Sequence, residues 1–192
     1  MPETKREELP IQSQTAGSAA AEDAVEAQLA RQVAELSATL GTPEAGFALA
    51  SLRVVEEDWA RHALGVDMSG TLASQARRSV ERGVPLDRLE RALPHAKRAV
   101  QRQWDLGSFA TGSGEGLAVM AEVRELQTAL AWLHAGIARH DPVRARHAAE
   151  AQRLAREIRE DSNGSGRSCE RSLRALDELL ARLETGAAPQ RH

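Results

Sequence analysis

The sequence predicts an all-α fold: a helical bundle of six or seven helices with a disordered N-terminal tail. Apolar residues recur at three- and four-residue spacing through nearly the whole chain, and no stretch alternates with the two-residue period of a strand. The composition agrees, because alanine is abundant, aromatic residues make up 3% and tyrosine is absent. Alanine loses no side-chain freedom in a helix, whereas sheets favour β-branched and aromatic side chains.

A chain of 192 residues is long enough for one domain with its own core. Residues 1–18 are polar and lack periodicity, which predicts a disordered tail. Residues 19–185 are predicted to form a single all-α helical domain, and residues 186–192 a disordered C-terminus.

The first two helices are separated by a glycine and a proline. Gly41 is expected to end the first, whose apolar residues are Val25, Leu29, Val33, Leu36 and Leu40. Thr42 and Pro43 predict the start of the second, because threonine caps helices and proline fits the first helical position. Its apolar stripe is Ala48, Leu52, Val55, Trp59 and Ala63.

A short third helix follows Ser69 and is expected to end at Gly83. The stripe of the fourth is Leu86, Leu89, Leu93, Val100 and Trp104. It keeps its phase across Pro94, which predicts one kinked helix rather than two. Residues 106–116 are rich in glycine and predict a loop.

The last three helices have the most regular spacing. The fifth carries Val119, Val123, Leu126, Leu130, Leu133 and Ile137. Asp141 and Pro142 predict a turn into the sixth, which carries Val143, His147, Ala151, Leu154 and Ile158. The seventh carries Cys169, Leu173, Leu176, Leu180 and Leu183.

Charge and cysteine content restrict the possible functions. The formal net charge is −3, so no global field attracts nucleic acid or an anionic membrane. A single cysteine excludes an internal disulfide and any multi-cysteine metal site. No apolar segment approaches a membrane span or a secretory signal, so we expect a cytoplasmic protein with no membrane partner.

Residues 74–104 are locally basic, which is typical of some nucleic-acid surfaces. We favour a solvated helix face, because Trp104 is expected in the core and no exposed aromatic residue is then left to stack on bases.

Three histidines, His134, His140 and His147, lie close together in the sequence. His134 and His140 are about 240° apart around a helix, so they do not share a face. His147 falls on an apolar stripe and is one turn from Glu150. We favour a corner between two helices without a cofactor; the alternative is a metal-binding protein using His134, His140 and His147.

Residues 93–100, LPHAKRAV, place His95 away from the apolar stripe, with Lys97 and Arg98 after it. In outline the segment resembles histidine phosphotransfer domains, which present a histidine on a helical bundle with a basic and a small residue in the next turn. That resemblance implies a nucleophilic imidazole beside a cation. Ala99 stands where the family usually has glycine, and Pro94 directly precedes the histidine.

Other catalytic patterns have simpler explanations. Asp58 and His62 are spaced for contact on one helix, as in many surface ion pairs. Cys169 begins a leucine stripe, which predicts a buried thiol. No nucleophile turn or phosphate loop is present, so we assign no catalytic residue and expect no enzyme.

Residues 76–104, ARRSVERGVPLDRLERALPHAKRAVQRQW, resemble a helix pair in helical N-terminal sensory domains of bacterial regulators. The resemblance implies a bacterial regulatory protein, although no output module follows this segment. We therefore expect a non-enzymatic regulator or adaptor that binds another protein or a second copy of itself. The alternatives are phosphotransfer at His95, with Lys97 and Arg98, and metal binding that includes His147 and Glu150.

Overall fold

A computed structural model describes residues 15–66, 69–107, 109, 113–140, 145–160 and 167–185. Within these residues there are seven helices and no strands, as the sequence predicts. They are α1 (Thr15–Ser37), α2 (Ala45–Leu64), α3 (Leu72–Arg82), α4 (Leu86–Gly107), α5 (Ser113–His140), α6 (Ala145–Glu160) and α7 (Arg167–Glu184). The predicted C-terminal tail and residues 1–14 lie outside the described residues, and α1 begins before the predicted tail ends.

The long helix α5 is the centre of the bundle and contacts α3, α4, α6 and α7. On the other side of α4 lies α2, and α1 contacts α2. Most of the core lies around α5, where Trp132, Leu133 and Ile137 are fully buried. The regular apolar spacing of α5 therefore reflects contacts within this chain.

Small side chains allow α4 to pack closely against its neighbours. Ala92, Ala96 and Ala99 line the buried face of α4 with no exposed surface. A Cβ atom added at Gly136 of α5 would lie 2.5 Å from a methyl group of Val80, so α3 also approaches α5 at its backbone.

Helix ends agree with the sequence in part. Gly83 ends α3 with φ 73°, a left-handed conformation that glycine adopts without strain. The start of α2 is two residues later than predicted: Glu44 precedes it, and Thr42 Oγ1 accepts a hydrogen bond from the Glu44 backbone N–H. As predicted, α4 continues through Pro94 as one helix.

Among the described residues, no helix has the length and apolar character needed to cross a membrane.

Candidate functional site around His95

The site lies between α2 and α4, which pack side by side. Glu56 and Trp59 of α2 face His95 and Arg98 of α4. Each pair is three residues apart, which places both side chains on the same side of their helix. The α2 and α4 packing thus brings together four side chains from two distant parts of the sequence.

Glu56 is the buried anchor of this group, with 2% of its surface exposed. His95 Nδ1 lies 2.7 Å from one carboxylate oxygen, and Arg98 Nε donates to the other at 2.7 Å. Burial disfavours the charged carboxylate, but the hydrogen bonds and positive charges of His95 and Arg98 outweigh it and lower the pKa of Glu56. The buried group is therefore a carboxylate at neutral pH.

The ionised carboxylate determines which nitrogen of His95 carries the proton. A carboxylate accepts hydrogen bonds only, so Nδ1 must be the N–H donor toward Glu56. An Arg98 Nη2 atom also lies 2.7 Å from Nδ1 and could donate only to the opposite tautomer. Because Arg98 already bonds Glu56 and is half exposed, we assign the proton to Nδ1.

Trp59 fixes the plane of the His95 ring. The two rings stack with centroids 4.4 Å apart and an angle of 19° between their planes. Only 13% of the His95 side chain is exposed, so the ring is half-buried rather than projecting freely into solvent as the sequence suggested. Among the described residues, Nε2 of His95 has no hydrogen-bond partner. This atom is not fully buried.

This arrangement prepares one nitrogen for chemistry. When the ring is neutral with its proton on Nδ1, Nε2 is unprotonated and can act as a base, a nucleophile or a single metal ligand. The described residues place no second histidine, cysteine or carboxylate set around it that would complete a metal site.

The other predicted candidates belong to a second group. The charge of Lys97 acts on His134 of α5 and Glu150 of α6, although Lys97 is only two residues from His95. His147 of α6 also meets His134, with their Nδ1 atoms 2.9 Å apart. We call His134 and His147 the histidine pair.

His134 is 4% exposed, and its buried Nε2 atom has no hydrogen-bond partner in the part of the chain that the structure describes. Burial lowers the pKa of His134 to about 4, and the charges of Lys97, His147 and Arg153 act in the same direction, while that of Glu150 opposes them. Both oxygens of Glu150 accept hydrogen bonds from Arg153.

His140 does not join the histidine pair. Its Nε2 atom lies 2.8 Å from the Val84 carbonyl oxygen, on the other side of α5. Within the described residues no group of three or more histidine, cysteine, aspartate or glutamate side chains could hold a metal ion. The structure therefore does not assemble the predicted set of His134, His140 and His147.

The sequence analysis did not predict that Glu56 and Trp59 contact His95. It also did not predict the contact between His134 and His147. One signal was readable for Glu56: it lies one turn from both Leu52 and Ala60, which are fully buried. A carboxylate at that spacing must be buried with a partner.

The remaining polar predictions have structural explanations. Asp58 pairs with Arg61 at 2.9 Å, rather than with His62. Cys169 is buried, as predicted. In the basic segment 74–104, three arginines form ion pairs with carboxylates: Arg77 with Glu81, Arg91 with Asp87 and Arg98 with Glu56.

Four large apolar side chains near the beginning of α2, the end of α4 and the beginning of α5 are exposed to solvent. We call this group the apolar end; its residues and exposed fractions are Phe47 75%, Trp104 43%, Phe109 48% and Leu117 72%. A Cβ atom added at Gly46 would lie 3.5 Å from Phe109, and one added at Gly107 would lie 3.4 Å from Val119. These contacts place the three helix ends next to each other. The prediction that Trp104 is a core residue is wrong.

Comparisons of this chain with family models, with curated proteins and with solved structures find no match.

Proposed function

We propose that this protein is a non-enzymatic regulator or adaptor that binds another protein through its apolar end. The observation that supports this is that Phe47, Trp104, Phe109 and Leu117 are all exposed and lie at three neighbouring helix ends. Scattered exposed apolar residues are normal on protein surfaces, whereas a group of large ones at one place is typical of a binding surface.

The chemistry of these side chains suits a protein partner. Covering one large apolar side chain contributes about 1.5–3 kcal/mol, and aromatic residues dominate the energetics of protein interfaces. The expected partner segment is an amphipathic helix, because the ends of several helices can form a groove for its apolar face.

A triple variant tests the proposal: Phe47→Ser, Phe109→Ser and Leu117→Ser. All three side chains are at least 48% exposed, so we expect an unchanged fold by circular dichroism. A partner recovered with the wild type and then purified should bind the variant at least about tenfold more weakly, a loss of about 1.4 kcal/mol.

The matched control is Val25→Ser with Val54→Ser, which changes exposed apolar residues outside the apolar end and should leave binding intact. Equal binding by the triple variant and the wild type would contradict the proposal. If light scattering shows self-association that the triple variant loses, and no other partner is recovered, the partner of the apolar end is a second copy of this chain.

A second candidate function is phosphotransfer at His95, and the orientation of the imidazole favours it. Nε2 would attack the phosphorus of an acyl phosphate, an N–P bond would form, and the P–O bond would break with its electrons leaving on the acyl carboxylate. No proton is lost, so the ring becomes a phosphoimidazolium. Glu56, 2.7 Å from Nδ1, would stabilise its positive charge.

Incubation with radiolabelled acetyl phosphate tests this candidate. We expect base-stable, acid-labile labelling of the wild type, none in His95→Asn, and labelling at least about tenfold slower in Glu56→Gln, equivalent to about 1.4 kcal/mol. His62→Asn, which alters another partly buried histidine on α2, is the control and should label normally. Label that persists in His95→Asn would rule this candidate out.

A further inference from the structure

The histidine pair joins α5 to the beginning of α6. Their Nδ1 atoms are 2.9 Å apart, so one ring must donate its N–H and the other must accept it. The ring centroids are 5.0 Å apart with a 37° angle between the ring planes. This hydrogen bond exists only while at least one Nδ1 atom lacks a proton.

While its hydrogen bond is intact, the pair can hold one positive charge at most. A charged His147 could still donate to a neutral His134, but if both rings are charged, each Nδ1 carries a hydrogen and the bond is lost. The second charge would also lie on a ring that is 4% exposed and whose buried Nε2 has no acceptor. An unpaired buried charge is strongly destabilising.

The groups around His134 reinforce this effect. Lys97 of α4, and His147 and Arg153 of α6, oppose a positive charge there, and Glu150 of α6 acts in the opposite direction. His147 lies in the first turn of α6, where the positive end of the helix dipole also disfavours a cation.

The beginning of α6 can open at little cost. From Ala145 to Glu150 every residue is exposed or half-buried, and the fully buried positions start at Ala151. Opening this segment therefore leaves Leu154 and Ile158 in the core. Local opening of a helix end requires much less free energy than global unfolding.

We propose that the histidine pair is a proton-sensitive latch that holds residues 145–150 of α6 on α5 and releases them in mildly acidic conditions. The inference is independent of the proposed binding function.

The size of the effect follows from the two states of His134. In the closed state the pKa of His134 is about 4; the latch requires that opening exposes the ring to solvent, which returns its pKa to about 6.5. The open state binds more protons between these values, so opening becomes more favourable as the pH falls through this window. At about pH 5 the opening equilibrium constant should be about 30-fold larger than at neutral pH.

Hydrogen exchange of the full-length protein, measured by mass spectrometry and corrected for the intrinsic effect of pH, tests the latch. The wild type should show about 30-fold more opening of residues 145–150 at about pH 5 than at about pH 7.5. His134→Leu removes the titrating ring and should reduce this ratio to below about threefold. His140→Leu, in the same helix, should keep the wild-type ratio.

A wild-type ratio below about threefold would overturn the proposal, as would a full wild-type ratio in His134→Leu. If His134→Leu does not fold, an NMR titration of the wild type decides. The His134 ring signal must then titrate over the same pH range in which residues 145–150 lose protection, and titration without that loss overturns the latch.

Discussion

His95 depends for its orientation on Glu56, a residue 39 positions away in the sequence. Helical periodicity relates residues three or four positions apart, so it identified the face of α4 that carries His95 but not the helix opposite it. The sequence therefore predicted that His95 lies outside the apolar stripe, yet not its half-buried position, its carboxylate partner or its stacking on Trp59.

Lys97 and Arg98 show why adjacent candidates separate. Consecutive residues differ by about 100° around a helix, so the two side chains leave α4 in different directions. Arg98 bonds Glu56, whereas the charge of Lys97 acts on His134 and Glu150. The two cations that are adjacent in the sequence therefore belong to two separate sites, Arg98 to the His95 site and Lys97 to the histidine pair.

The pH dependence of Glu56 has a definite sign. Its pKa is lowered in the folded protein, despite burial, by His95 and Arg98. The stability that this carboxylate contributes is present above its ordinary pKa and is lost as the pH falls through the lowered value. Glu57 behaves oppositely, because burial outweighs Arg53 and Arg61 and raises its pKa.

The helices themselves were predictable, because each has an apolar stripe of helical period and several have glycine at their ends. Boundaries were less so. Residues 106–116 were predicted as a loop, but α4 extends to Gly107 and α5 begins at Ser113. Helix formation there is local and polar, and an apolar pattern carries no information about it.

Gly136 tests the packing of α3, α4 and α5. A Cβ atom there would lie 2.5 Å from Val80 and 3.1 Å from Leu89, both in the core. Overpacking should exceed the gain in helix propensity, so Gly136→Ala should lower the free energy of unfolding by about 1–2 kcal/mol. Urea denaturation followed by circular dichroism measures the change.

Gly116→Ala, in the same helix, is the matched control, because a Cβ atom there meets nothing within 4 Å. It should leave the free energy of unfolding unchanged or raise it by up to about 1 kcal/mol. Equal effects of the two substitutions would show that α5 does not approach Val80 as closely as described.

The apolar stripes of the individual helices did not determine how the helices are arranged in the whole molecule. Seven amphipathic helices can be packed in several ways, and the sequence indicated only that consecutive ones are neighbours. The stripes of α5 and α7 could have served self-association, but both are covered within the chain, with Leu173 and Leu176 of α7 in the core.

The centrality of α5 predicts unequal roles for the terminal helices. Among the described side chains of α7, four are buried, Cys169, Leu173, Leu176 and Leu180, and Ser172 accepts the indole hydrogen bond of Trp132. Burial of the three leucines contributes about 4.5–9 kcal/mol, comparable to the whole stability of a domain. Removing residues 161–192 should therefore abolish cooperative unfolding.

Removing residues 1–38 should have a much smaller effect. Among the described side chains of α1, one apolar residue is buried, Leu29. Within the described residues, the substantial contacts of α1 are with α2. We expect a cooperative transition with about 2–4 kcal/mol less stability, measured by urea denaturation. Because α5 is complete in both truncated chains, the difference between them reports how much α1 and α7 each contribute to covering the core. Equal losses from the two deletions would mean that α1 and α7 support the core to the same degree, which contradicts a bundle built around α5.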